Sequence, residues 1–184
     1  AVTAHLMAAH ERAAGLLVDL PKGAPLGDGE FAANLALGAR LRSYQFGKYH
    51  TKPRADKPKP VEALTVVTAK VADARRLDGR LGAVAEGVRL ARDLVNEPPN
   101  TLYPEAFADR AKALTKLGVK VEALDVAAMK KLGMGAILAV GGGSARPPRL
   151  LVLQYDGARR AGDGPVALVG KGVCFDAGGL CLKK

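Results

Sequence analysis

Apolar residues recur every three or four positions between residues 77 and 95, and this spacing is the strongest structural signal in the chain. Side chains at such intervals lie on one face of an α-helix, so the pattern predicts a long amphipathic helix. Pro98 and Pro99 cannot continue a helix, and we therefore expect this one to end at Asn96. The apolar positions are Leu77, Leu81, Val84, Val88, Ala91 and Val95.

The segments before this helix carry weaker patterns. The alanine-rich residues 1–18 predict a helix, and residues 29–44 predict a second one. Residues 52–60 contain three prolines, which exclude regular structure there and indicate a basic linker. Residues 63–68 are rich in apolar and β-branched side chains and predict a strand.

The segments after the long helix alternate between helix and strand signals. Pro104 and Gly118 suit the start and the end of one helix, and Asp125 can cap another that ends near Gly133. This alternation predicts an α/β fold whose central sheet is mixed or mostly parallel. Strands are expected at residues 119–123, 136–140, 150–153 and 166–169.

Composition narrows the class of protein. The chain is 48% hydrophobic but only 4% aromatic, so its core must be built from Ala, Val and Leu. No run of about 18 apolar residues occurs, and the first residues lack the basic and apolar segments of a secretory signal, so we expect neither a membrane span nor a leader. Cys174 and Cys181 have the spacing of neither a zinc motif nor a disulfide framework, which favours a reduced, cytoplasmic compartment.

The net charge of +10 is concentrated in one region, between residues 40 and 60, where only Asp56 opposes the basic side chains. The cluster could bind nucleic acid or another acidic partner, or it could be a solvated linker whose charge is balanced elsewhere in a larger protein. We favour the linker, because only Tyr44, Phe46 and Tyr49 could stack on bases. The basic residues are Arg40, Arg42, Lys48, Lys52, Arg54, Lys57 and Lys59.

Candidate chemistry lies beyond the last apolar run. Residues 166–169 open into a glycine-rich loop that carries Lys171, Asp176 and Lys183. Ligands of open α/β sheets bind beyond the carboxyl ends of strands, so this loop is a candidate active site. Two nucleotide motifs do not fit it: a phosphate-binding loop needs its Lys after the last glycine, and a dinucleotide-binding fingerprint needs a third glycine where Phe175 stands.

The order of residues in this loop resembles the signature of the leucyl aminopeptidase family, which are cytosolic exopeptidases with two metal ions. Residues 93–100 and 133–149 resemble further stretches of the same family, and residues 44–52 do so weakly. The matching positions in the loop are Gly170-Lys171-Gly172, Phe175-Asp176, Gly178-Gly179 and Lys183, which follows Asp176 by seven positions.

The resemblance implies a role for each charged residue of the loop. Asp176 would bridge two divalent metal ions, Zn²⁺ or Mn²⁺, with its carboxylate. Lys171 would bind one of these ions through its amine, which can coordinate a metal only in its neutral form. Lys183 would polarise the carbonyl group of the substrate and stabilise the oxyanion.

The resemblance also implies the activity of the whole protein. We expect a metallo-aminopeptidase that releases N-terminal amino acids of leucine type, by attack of a metal-bridging water on the first peptide carbonyl. Its substrates would be peptides with a free N-terminus, and it would act in the cytoplasm as a homohexamer. We expect neither a membrane nor a nucleic acid as a partner.

The resemblance also implies the domain organisation. Residues 1–73 would be a partial N-terminal α/β domain, and residues 74–184 the linking helix with the first part of the catalytic domain. The family's remaining metal ligands would follow Lys184, so we expect a truncated N-terminal part that is incomplete and inactive alone. The alternative is an inactive fragment that binds nucleic acid or serves as a scaffold for an oligomer.

Overall fold

The computed structural model describes residues 12–51, 61–157 and 164–174. The chain divides into two compact units between residues 96 and 97. Each unit combines helices with strands, which confirms the predicted α/β class. The boundary expected between residues 73 and 74 is inferred from the family resemblance and separates a partial N-terminal domain from the linking helix. It stays a prediction.

The first unit has the order β1, α1, β2, α2. Strand β1 (Ala13–Val18) pairs in parallel with β2 (Ala63–Thr68), with Ala13 opposite Ala63 and Val18 opposite Thr68. Helix α1 (Asp28–Arg42) follows β1, and helix α2 (Val71–Asn96) follows β2. The predictions of α1, of β2 and of the end of α2 at Asn96 are confirmed.

The helix predicted at the start of the chain is wrong in its described part. Residues 13–18 form a strand, while residues 1–11 lie outside the described residues, as does the predicted linker at residues 52–60. Alanine has a higher helix propensity than most other residues, but by less than roughly 1 kcal/mol per residue. Pairing with β2 outweighs that preference.

Helices α1 and α2 pack together through small side chains. Ala32 and Ala33 of α1 and Ala85 of α2 are buried. A Cβ atom at Gly29 would lie 2.9 Å from Cβ of Asp73 and 3.1 Å from the backbone nitrogen of Ala74. The first turns of the two helices therefore approach each other more closely than any larger residue at position 29 would allow.

The apolar stripe that predicts α2 is only partly covered. Val84 and Val95 are exposed, although both belong to the predicted inner face. The buried residue of α2 is Ala85, next to Val84, so the side of the helix that is covered differs from the predicted one. Among the helices that the structure describes, none combines the length and the apolar character needed to cross a membrane.

The second unit begins with helix α3 (Pro104–Ala111), which continues as a 3-10 helix (Lys112–Leu117). Gly118 ends this helix with a φ of 82°, a left-handed conformation that favours glycine. Strand β3 (Lys120–Leu124) follows and pairs antiparallel with β4 (Leu150–Gln154). Between the two strands lie α4 (Val126–Lys131) and α5 (Gly135–Gly141).

Most of the predictions for this unit are confirmed. The carboxylate of Asp125 accepts a hydrogen bond from the backbone N–H of Ala128 at 2.8 Å and so caps α4. The strand predicted at residues 136–140 is wrong, because this run is helix α5. A short apolar run does not show by its periodicity whether it is a buried strand or a helix, and here the backbone forms hydrogen bonds within the segment.

The strand predicted at residues 166–169 is also wrong for the described structure. These residues have no regular secondary structure, and no strand in the described part of the chain pairs with them. Val166 is 88% exposed, Leu168 94% and Val169 98%. A strand forms its hydrogen bonds with a neighbour, so its apolar sequence alone does not produce it.

Candidate functional site

Helix α3 is the platform of the candidate site. Pro104 stands at its start, where a residue without an N–H group costs no hydrogen bond, and the N–H of Phe107 donates to the carbonyl of Tyr103 at 2.9 Å. One side of the helix is buried through Ala108 and Ala111. Phe107 itself is half-buried and remains available to contact another segment.

Two ion pairs fasten this platform to the rest of the unit. Arg110 donates to Oε1 of Glu97 at 2.8 Å, and the Glu97 side chain is only 3% exposed. Arg149, which precedes β4, donates to Oε1 of Glu105 at 2.5 Å. Glu105 lies in the first turn of α3 and Arg110 in its last, so the two pairs hold the helix at both of its ends. Charged hydrogen bonds are stronger than neutral ones.

A third contact lies beside these pairs. The guanidinium of Arg146 lies 4.0 Å from the centre of the Tyr103 ring, which is the geometry of a cation–π interaction. Arg146 belongs to the second of the two turns that resemble the aminopeptidase family, residues 93–100 and 133–149, whereas Tyr103 lies just after the first. The contact therefore fixes the second turn against the residue that precedes α3.

The glycine–lysine loop, residues 170–172, passes near Phe107 of α3. Cζ and Cε2 of Phe107 lie 3.8 and 3.9 Å from the point that a Cβ atom would occupy at Gly172. Lys171 is exposed, and Cys174 just beyond the loop is half-buried. Burial raises the pKa of the Cys174 thiol above its usual range.

The three predicted site residues differ in what the structure says of them. Lys171 lies on the exposed loop described above, whereas Asp176 and Lys183 lie outside the described residues. Within residues 12–51, 61–157 and 164–174, no three His, Cys, Asp or Glu side chains come together in a way that could hold a metal ion. The amine of Lys171 and the carboxylate of Asp176 suit Zn²⁺ or Mn²⁺ in kind, but they are too few for two ions.

Sequence reasoning missed two features of the site. The Phe107 ring lies near Gly172, 65 positions further along the chain, and nothing in the local pattern predicts this proximity. The ion pair of Glu97 with Arg110 is only weakly indicated by the sequence. Nothing near a carboxylate that precedes two prolines predicts that it is buried. Only the three-dimensional structure brings these residues together.

Another pair of family-like stretches meets in the first unit. The hydroxyl of Tyr44 donates to Oδ1 of Asp93 at 2.7 Å and accepts from Nδ2 of Asn96 at 3.2 Å. Arg92 lies over the Tyr44 ring, 5.3 Å from its centre, and donates to the carbonyl of Leu41 at 2.6 Å. These contacts fix the segment after α1 against the last turn of α2.

Part of the basic cluster is engaged within the protein. Arg40 pairs with both carboxylate oxygens of Asp78, and Lys48 lies 5.4 Å from the centre of the Tyr49 ring. The basic residues at positions 52–59 lie outside the described residues. The described members of the cluster thus include side chains that stabilise the fold.

Comparison with known families gives one match that covers more than half of the chain. The sequence profile of the cytosol aminopeptidase family, catalytic domain, matches residues 89–184. This range includes the platform, both turns and the whole glycine-rich loop.

Curated relatives match over most of the chain. A protein described as "Probable cytosol aminopeptidase" from Bradyrhizobium sp. is 54% identical over 168 residues, which are 91% of this chain and 33% of the relative. A protein of the same description from Afipia carboxidovorans is 55% identical over 169 residues, again 91% and 33%. The chain spans about a third of the length of these relatives.

Solved structures share the fold. The bottromycin maturation enzyme BotP in complex with Mn superposes with a TM-score of 0.68 at 34% identity, over 84% of this chain and 32% of that one. A variant of tomato leucine aminopeptidase superposes with a TM-score of 0.66 at 25% identity, over 83% of this chain and 31% of that one.

Proposed function

This chain belongs to the cytosol aminopeptidase family, and we propose that the complete protein is a metal-dependent aminopeptidase that releases N-terminal amino acids from peptides. The observation that carries this proposal is the family match over residues 89–184, which contains the whole glycine-rich loop with Lys171, Asp176 and Lys183. Similarity to a solved enzyme in complex with Mn supports the use of divalent metal ions.

In this proposal the charged residues of the loop have separate tasks. Lys171 and Asp176 would hold metal ions, Lys171 through its amine and Asp176 through its carboxylate. When bound, the ions would supply an acidified water as the nucleophile. Lys183 donates to the carbonyl oxygen of the substrate, where negative charge develops as the peptide bond is attacked.

Several finer properties belong to the same proposal. Leucine-type residues would be preferred at the cleaved position, the metal ions would be two Zn²⁺ or Mn²⁺ per subunit, and the enzyme would be a homohexamer in the cytoplasm. The 184 residues alone would be inactive, because the donors that they offer are too few for two ions. The proposed domains are residues 1–73 and 74–184.

The test compares three single variants in the full-length protein: Lys171→Ala, Asp176→Ala and Lys183→Ala. The first two should lose metal and activity together, since each removes a ligand. Lys183→Ala should keep its metal and lose turnover of leucine amide by roughly 10²–10³, the usual effect of removing one preorganised donor. Metal quantification after dialysis and steady-state kinetics measure both quantities on the same samples.

Two results would contradict the proposal. Loss of metal from Lys183→Ala would show that the division between metal ligands and carbonyl donor is wrong. Full activity of Lys171→Ala and Asp176→Ala would show that the loop is not the active site.

A further inference from the structure

We propose that β4 is an interior strand in the complete protein, and that a strand from the residues after Lys184 pairs with its open edge, the edge away from β3. In the part of the chain that the structure describes, β4 has one partner, β3, and nothing pairs with its open edge. The inference concerns the sheet of the second unit and does not depend on the proposed activity.

The sequence of β4 is apolar on both of its faces. Leu151 and Leu153 belong to one face and Leu150 and Val152 to the other, because successive side chains of a strand alternate. Strands that are covered on both faces have such continuous apolar runs, whereas strands with one face in water alternate between apolar and polar residues. The run from Leu150 to Leu153 therefore indicates an interior strand.

Strand β3 has the opposite character and suits the outer edge of a sheet. Lys120 and Glu122 are exposed, and the half-buried Val121 stands between them. Charged residues on an outermost strand hinder pairing with the strands of other molecules. Further strands are therefore expected beside β4 and not beside β3.

The register of the two strands shows where the covered part of the sheet begins. Glu122 lies opposite Val152, and residues directly opposite each other belong to the same face. On this face an exposed carboxylate thus stands beside a half-buried apolar side chain. A layer that also covered Glu122 would remove its charge from water, which is costly. The covered part therefore extends from β4 in the direction away from β3.

The occupant of the open edge follows from the position of the family match. The match to the catalytic domain begins at residue 89 and reaches residue 184, and the curated relatives are about three times as long as this chain. The described segment that follows β4, residues 164–174, has no regular secondary structure and pairs with neither strand. We therefore place the missing strand after residue 184 of the full-length protein.

Hydrogen exchange of single backbone amides in the full-length protein tests the proposal. Only every second residue of an antiparallel strand forms hydrogen bonds with a given partner, so an edge strand protects alternate amides and an interior strand protects them all. Leu151, Val152 and Leu153 should each exchange at least about 100-fold more slowly than a free amide. In β3, Glu122 should differ from both Val121 and Ala123 by about the same factor. Electron-transfer fragmentation assigns the deuterium to single residues.

A photo-crosslinker identifies the occupant. Benzoylphenylalanine in place of Leu153, which is 49% exposed, should join β4 to a peptide that follows residue 184. The product should run as a single chain on a denaturing gel. The same replacement at Glu122 is the control and should join to no peptide that follows residue 184, because β3 would be the outer strand.

The outcomes separate this proposal from the proposed function. Alternating protection in β4 overturns the interior position, even if the protein is a metallo-aminopeptidase. Continuous protection of β3, or a crosslink from position 122 to a peptide after residue 184, places the added strand on the wrong side and also overturns it.

The occupant has its own contradicting results. A crosslinked product of twice the chain mass would identify a second copy, and a crosslink confined to residues 1–184 would identify a segment of this chain. Either result overturns the assignment. Continuous protection of β4 with a crosslink within one chain to a peptide after residue 184 supports the proposal, even if Lys171→Ala keeps its metal and the proposed function fails.

Discussion

Helix α2 and residues 164–174 both have clear patterns in the sequence, yet the structure treats them differently. The helix forms where its apolar spacing predicts it and ends at Asn96, before the two prolines. The apolar run at residues 166–169 predicts a strand equally plainly, but it is exposed and has no regular structure. The difference lies in where each element finds its hydrogen bonds.

A helix satisfies its backbone groups within one segment, so its sequence contains most of what it needs. A strand needs a neighbouring strand, and an apolar strand of an α/β sheet needs covered faces as well. The relatives of this chain are about three times as long, and their additional length can supply such neighbours. We therefore expect residues 166–169 to respond to the remainder of the protein, and α2 to be independent of it.

The largest expected effect tests this expectation directly. Leu168→Asp should change the free energy of unfolding of the 184-residue chain by less than about 0.5 kcal/mol, because the side chain is almost fully exposed. In the full-length protein the same change should cost roughly 2–5 kcal/mol, since a charge would replace a buried apolar side chain. Urea unfolding of both lengths measures the two values.

Leu117→Asp is the matched control, because Leu117 is also exposed but ends a helix that the described structure already completes. It should cost little in either length. An equal cost of Leu168→Asp in both lengths would mean that residues 166–169 do not join a larger sheet.

The second prediction concerns the packing of α2 against α1. Gly29→Ala should destabilise the chain by about 1–3 kcal/mol, because the new methyl group would lie 2.9–3.1 Å from Asp73, Ala74 and Lys70, whose backbone cannot easily move. Gly38→Ala in the same helix meets no atom within 4 Å and should stabilise by about 0.5–1 kcal/mol. Thermal unfolding compares the two variants. A Gly29→Ala variant as stable as the wild type would show that α1 and α2 are further apart than these distances indicate.

The smallest expected effect is a pH dependence in the same helix pair. The hydrogen bonds from Arg40 lower the pKa of Asp78 below its ordinary value, so the folded state binds fewer protons at this carboxyl than the unfolded state does. The stability that the Asp78 carboxylate contributes is therefore complete above its ordinary pKa and is lost as the pH falls below that value. Both side chains are partly exposed, and we expect less than about 1 kcal/mol.

Asp78→Asn should accordingly shift the urea midpoint slightly at pH 7, and the difference from the wild type should shrink by pH 3. Asp109→Asn, which removes an exposed pair with Lys112, serves as the control. A difference for Asp78→Asn that grows on acidification would contradict the assigned sign.

The candidate site shows how far local patterns lead. The motif around Lys171, Asp176 and Lys183 identifies the loop, because glycines and charges stand at fixed intervals along the chain. The neighbours of that loop stay hidden in the sequence, since the Phe107 ring lies near Gly172 although 65 positions separate the two residues. Contacts between distant segments depend on how the elements pack, which local spacing does not encode.

The sequence by itself determined the family, the long helix with its end at Asn96, the cap of α4 at Asp125 and the residues of the candidate loop. These features depend on neighbours within a few positions, or on a motif whose order is preserved along the chain. Only the tertiary structure decided that residues 13–18 pair as a strand, that residues 136–140 coil into a helix and that the Phe107 ring lies near Gly172. Each of these outcomes depends on a partner or its absence, because short apolar runs can satisfy their backbone in more than one way and packing selects among them.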